Sequence, residues 1–164
     1  MLAVTADLWR SLSQAIPAGL WYRKPAPAEW PAAECLQHIL DSERVYQFRL
    51  KCFREGADFP GFDPDREGTS PGERPPAEMA EEFEKLRAES LKMLETLAEA
   101  DLDRRVLHQE LGPVTLREML SAWAAHDLNH TIQAERALMQ PFLLDCGPWI
   151  VYYKEHLFKK ESLT

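Results

Sequence analysis

Apolar residues recur at three- and four-residue steps through four long stretches of the chain, the pattern of helices that bury one face. The first stretch covers residues 2–15 and is carried by Leu2, Leu8, Trp9, Leu12 and Ile16; Pro17 and Gly19 close it. The second runs from residue 31 to about 55, with Cys35, Leu36, Ile39, Leu40, Val45, Tyr46, Leu50 and Phe53 inside. Pro31 suits its first turn, where a missing N–H goes unnoticed, and Gly56 is a natural stop. The third spans about 77–98 through Met79, Phe83, Leu86, Leu91, Leu94 and Leu97. Its early turns are acidic (Glu78, Glu81, Glu82), as the helix dipole favours. The fourth, residues 116–139, is the longest uninterrupted pattern. Thr115 and Glu118 form a capping box at its start, and Pro141 is expected to end it.

The segments between are connectors. Residues 21–30 hold Pro25 and Pro27, with Trp21 and Trp30 expected against the bundle end. Residues 57–76 form a long loop rich in Pro, Gly and acid, and a loop of that length in a small domain either carries function or lacks fixed order. Asp63, Asp65, Glu67 and Gly68 imitate the start of a calcium loop. Pro64 intrudes, however, and Arg74 stands where the closing glutamate belongs, so no calcium site is expected. Residues 101–115 are a further connector, and nothing alternates at period two for long enough to demand a sheet. Residues 149–158 are read as a short fifth helix. The expectation is an all-α protein, one domain over residues 1–164, folded as a four-helix bundle with a short extra C-terminal helix.

Composition narrows the class. With 164 residues, 45% apolar and 28% charged, the chain is an ordinary globular domain. No apolar run approaches the roughly 20 residues that span a bilayer, and the N-terminus lacks the basic start and compact apolar stretch of a signal peptide. A cytoplasmic protein is expected, its three cysteines (Cys35, Cys52, Cys146) reduced. The formal net charge of −8 argues against a nucleic-acid surface; the one dense basic pair is Lys159-Lys160, at the tail.

The chemistry gathers on histidines. His126 and His130, at i and i+4 in the fourth helix, share a face with Met119, Trp123, Ala134 and Ala137, so the pair points inward. His38, near the middle of the second helix, can face them across the core. Three neutral imidazoles bind a divalent transition metal and leave coordination positions open, the catalytic arrangement. Cys35, one turn before His38, could close such a site as a fourth ligand. Glu34 and Asp127 are expected to orient ligand imidazoles through their second nitrogens. His108, in a connector, and His156, near the tail, are read as surface residues. Spacing alone also fits hydrogen-bonded core histidines, since any long helix can acquire a His-x-x-x-His pair.

The stretch WPAAECLQHILDSERVYQFRL resembles the first histidine motif of the DinB/YfiT-like superfamily, in which a tryptophan precedes a helix bearing one His. GPVTLREMLSAWAAHDLNHTIQAERAL resembles its second motif, a Thr-Leu helix start followed by His-x-x-x-His, and FDPD and DLDRRVLHQELGPVTL fit one branch. The resemblance implies an antiparallel bundle in up-down-down-up order, commonly a homodimer. It implies a three-His metal site at His38, His126 and His130, holding zinc or nickel. Some members transfer small thiols such as bacillithiol or mycothiol to electrophiles, and others are thiol-dependent isomerases. Three functions follow as expectations: a metal-dependent enzyme acting with a small thiol and an electrophilic substrate, a metal-dependent hydrolase, or a non-enzymatic stress-related dimer with a structural or vestigial metal.

Overall fold

The computed structural model describes residues 1–158, so the Lys159-Lys160 pair lies outside the described residues. In chain order the elements are α1 (Leu2–Ala15), α2 (Ala18–Trp21), α3 (Ala32–Glu55), α4 (Pro64–Glu67), α5 (Pro76–Glu95), β1 (Arg105–His108), β2 (Gly112–Thr115) and α6 (Leu116–Asp145). Short 3₁₀ segments occupy Glu99–Asp103, Gly147–Tyr152 and Lys154–His156. Local chemistry sets several of the bounds. Pro31 stands extended just ahead of α3, and Gly56 ends it at φ 70°, a conformation that side-chain-bearing residues rarely adopt. At α6, Thr115 Oγ1 accepts from Glu118 N while a Glu118 carboxylate oxygen accepts from Thr115 N.

The register of side-chain contacts fixes the helix directions. Arg10 meets Glu84, and the Leu2 carbonyl meets Arg87, so α1 and α5 run antiparallel. Glu43 meets Arg87 and Gln47 meets Ser90, so α3 and α5 run parallel. His38 and Tyr46 face His126 and Trp123, so α3 and α6 run antiparallel. The result is a four-helix bundle in up-down-down-up order. Parallel neighbours need a connection as long as the bundle, which explains residues 57–75 between α3 and α5.

Three expectations change. Pro141 does not end the last helix, which continues to Asp145. A proline inside a helix costs about 3 kcal/mol, but Gln140 anchors this turn. Its Nε2 donates to the carbonyls of Arg136 (2.8 Å) and His156 (3.0 Å), and the turn buries Leu143. The expected fifth helix is instead two 3₁₀ segments, the second strapped to α6 by that same glutamine. The connector before α6 contains a β-hairpin, Arg105–His108 paired with Gly112–Thr115, closed where Gly112 sits at φ 80°. Its strands are only four residues long, too short for an alternation to register. Phe59 pairs alongside, its N–H donating to the Leu107 carbonyl at 3.1 Å, which pins the long loop to the hairpin.

Two apolar clusters fill the bundle. One gathers Trp9, Trp21, Leu36, Leu40, Phe83 and Leu138; the other Tyr46, Leu50, Phe53, Phe59, Leu116 and Trp123. Between them lies a polar belt: Asp41, Ser42 and Glu43 on α3, Arg87 and Ser90 on α5, His126, Asp127, His130 and Thr131 on α6.

Candidate metal centre

The belt brings His38, His126 and His130 together, one ring nitrogen of each lying within 4.8 Å of the others. His38 Nε2 and His126 Nε2 are 2.9 Å apart. Each ring is held from outside. Trp30 stacks on His130 (5.8 Å between centroids) and meets His38 edge-on (5.2 Å), and Tyr46, stacked on Trp123, meets His126 edge-on (6.0 Å). His130 Nδ1 contacts Gln133 Oε1 at 2.9 Å, which places the proton on Nδ1 and leaves Nε2 as the lone-pair nitrogen. Ser42 Oγ lies 3.5 Å from Nε2 of both His38 and His126.

Electrostatics keep the rings neutral, the form that binds metal. Burial, helped by the neighbouring imidazole of His130, lowers His38 to about 4; burial and both neighbouring imidazoles lower His126 to about 3. His130 is lowered by burial too, with Gln133 opposing. The donor set suits a divalent transition ion. At metal–nitrogen bonds of about 2.0–2.1 Å, tetrahedral geometry spaces two nitrogens about 3.3 Å apart, so small ring shifts would accommodate one. His126 Nδ1 is buried with no hydrogen-bond partner, so this ring lacks the outer anchor that Gln133 gives His130.

The low pKa values carry a stability consequence. Between about pH 6.5 and 4 the unfolded histidines bind protons that the folded rings refuse. The unfolded state therefore holds more protons, and stability rises with pH across that window. Metal-free protein is expected to be most stable above pH 6.5 and to lose stability progressively as pH falls through 4; urea midpoints at pH 7.5, 6, 5 and 4 measure it. A shallower profile in His38→Gln/His126→Gln would assign that part of the slope to these two rings, the remainder staying with His130.

The other site expectations separate. Cys35 is fully buried in the apolar cluster, its thiol pushed up to about 12 chiefly by burial, and it does not join the imidazole group. Asp127 does not orient an imidazole. It is buried, and its Oδ2 accepts from Arg87 Nη1 at 2.7 Å. Glu34 lines an adjoining cleft of about 230 Å³ with Trp30, His38 and Asp41. His156 stays partly exposed near the tail as expected, but His108 is buried under the hairpin rather than on the surface.

The imidazoles open onto a cavity of about 330 Å³ whose walls include Trp30, Tyr46, Arg49, Phe62 and Pro64. The long loop supplies Phe62 and Pro64, and Thr69 N, donating to Asp41 Oδ2 at 2.8 Å, ties it down. Sequence reasoning did not single out Ser42, Tyr46 or Arg49 for the site. A signal existed: from His38 they lie at i+4, i+8 and i+11, all on one helical face.

Among proteins of known structure the chain is similar to YfiT from Bacillus subtilis, described as a probable metal-dependent hydrolase with an unusual four-helix bundle topology. That likeness has a TM-score of 0.75 and 16% identity, over 86% of this chain and 83% of that one. It is also similar to a DinB-like protein of Bacillus subtilis, YjoA, at a TM-score of 0.60 and 22% identity, over 85% of this chain and 88% of that one. At these identities the likeness speaks for the fold. No curated protein matches the chain. A family model described as the DinB superfamily matches residues 1–134, and the chain belongs to that superfamily.

Proposed function

We propose that the protein is a metal-dependent enzyme that activates a small nucleophile at His38, His126 and His130. The observation that carries the reading is three neutral imidazole nitrogens converging at the mouth of a cavity, with no fourth side-chain ligand among the described residues. A divalent ion held there, zinc or nickel by the family's habit, would act as a Lewis acid that lowers the pKa of a thiol or water beside it. The chain's own groups do the rest. Trp30, Phe62 and Pro64 give the cavity apolar walls. Tyr46, its hydroxyl pushed up to about 12 chiefly by burial, stays an O–H donor at neutral pH.

Among the described residues no carboxylate lines this cavity. That supports a small thiol over water as the nucleophile, since a thiol releases its proton readily without a general base, and an electrophilic small molecule as the acceptor. Hydrolysis is the second reading, supported by the description of YfiT. Metal-reconstituted and chelator-treated protein should be compared in two assays: consumption of a small thiol with 1-chloro-2,4-dinitrobenzene, and release of nitrophenol from nitrophenyl esters without thiol. Metal-dependent turnover in the first supports transfer, and in the second alone hydrolysis. Turnover in neither, with chelation lowering only the melting temperature, leaves a structural metal.

A further inference from the structure

Among the described residues, Arg49 is the one lining the metal cavity that is charged at neutral pH. Its guanidinium lies over the rings of Tyr46 (5.6 Å) and Phe59 (5.2 Å), which fixes its plane. It makes no ion pair with any described residue. Its Nε is buried without a hydrogen-bond partner, and its Nη2 meets only His108 Nε2, at 3.5 Å.

That contact joins two donors. His108 Nδ1 accepts from the backbone N–H groups of Glu110 (3.2 Å) and Leu111 (3.3 Å) at the hairpin turn. A neutral imidazole accepting at Nδ1 carries its proton on Nε2. The Nε2–H therefore faces a guanidinium, and nothing between them accepts. Glu110, whose field reaches both groups, is exposed and stays beyond ion-pair distance. A buried N–H without a partner, such as Arg49 Nε, is costly to keep, and a guanidinium fork that faces a cavity with no counter-charge is what a carboxylate or phosphate oxygen satisfies. The charge balance points the same way. Three neutral ligands leave a divalent ion uncompensated, and Arg49 adds a further positive charge, within a chain of net charge −8.

We propose that Arg49 forms an oxyanion subsite in the wall of the metal cavity, with His108 behind it in an adjoining cavity holding the guanidinium in place, so that Arg49 takes the carboxylate or phosphate end of a small substrate while its reacting end reaches the three imidazoles. The proposal deepens the enzymatic reading above and rests on it for the role of the second end.

Isothermal titration of metal-loaded protein with succinate and with inorganic phosphate, at fixed ionic strength, tests it; the anion that binds identifies the class. Arg49→Gln should weaken that binding by about tenfold or more. Arg49→Lys, which keeps the charge and loses the fork, and His108→Asn, which loses the ring behind the guanidinium, should weaken it by smaller factors. His126→Ala, with metal content measured on the same sample, should weaken it less than Arg49→Gln does. Binding that survives Arg49→Gln but disappears in His126→Ala would place the anion on the metal and overturn the subsite, as would no binding of either anion to wild type. Anion binding through Arg49 in protein that carries no metal would leave the subsite standing and sink the metal reading, so the two failures are distinguishable. Should Arg49→Gln fail to fold, the lysine and His108→Asn variants carry the comparison.

Discussion

Arg87→Met is expected to destabilise the protein by about 3–5 kcal/mol, the range for removing one partner from a buried ion pair. The reason lies in the polar belt. Arg87 is fully buried on α5, its Nε and Nη2 donating to the Glu43 carboxylate on α3 at 3.0 and 2.8 Å. Its Nη1 donates to Asp127 on α6 and to the Leu2 carbonyl at the start of α1, both at 2.7 Å. Ser90 adds a hydroxyl to Glu43 at 2.6 Å. One guanidinium thus links all four long helices. Burial raises the Asp127 carboxyl, and Arg87 is the main group opposing it. Without that cation two carboxylates remain buried with no counter-charge, and they must take up protons or open the core. Urea unfolding should show a lower midpoint at unchanged slope, with a melting temperature lower by roughly 10 °C. Adding Glu43→Gln and Asp127→Asn to Arg87→Met should recover part of the loss, because it removes the stranded charge. A single variant as stable as wild type would mean that the network is incidental to the fold.

The same residues mark where sequence reading stops. Helices α1, α3, α5 and most of α6 follow from apolar spacing and from local stops such as Gly56 and the Thr115–Glu118 box, which act over a few residues. The inward pair at His126 and His130 follows from one helical face, and His38 from its place on another. What was illegible depends on long-range partners. Arg87 sits in an acidic, outwardly ordinary stretch of α5, and nothing nearby announces that Glu43 and Asp127 will meet it across 44 and 40 residues. Asp127, next in sequence to His126, is turned about 100° round the helix from it, and so meets Arg87 and serves the ionic network rather than the imidazoles. His108 looked exposed because it lies in a connector; the hairpin and Phe59 bury it through backbone pairing that four-residue strands do not advertise. Pro141 looked like a stop, but Gln140 binds the chain sixteen residues on and keeps the helix going.

The second large effect belongs to the imidazoles. His126→Ala is expected to lower metal affinity by more than about 100-fold, beyond the 10- to 100-fold range for loss of an outer-shell partner. Elemental analysis of untagged protein should find one divalent ion per chain in wild type and almost none in the variant. Gln133→Ala should fall in that outer-shell range, because it frees His130 without removing a ligand atom. Cys35→Ala should leave metal content unchanged, since its fully buried thiol, held near pKa 12, stays protonated and apart from the group. Stability separates this from a merely structural role. In the metal-free state His126 keeps a buried Nδ1 with no partner and a ring nitrogen 2.9 Å from His38 Nε2. Removing the ring deletes the unpartnered Nδ1 along with the His38 contact and some packing, so metal-free His126→Ala should melt close to metal-free wild type. A large drop in the metal-free melting temperature, or wild-type metal content in the variant, would make His126 a core histidine and leave the metal site without its centre.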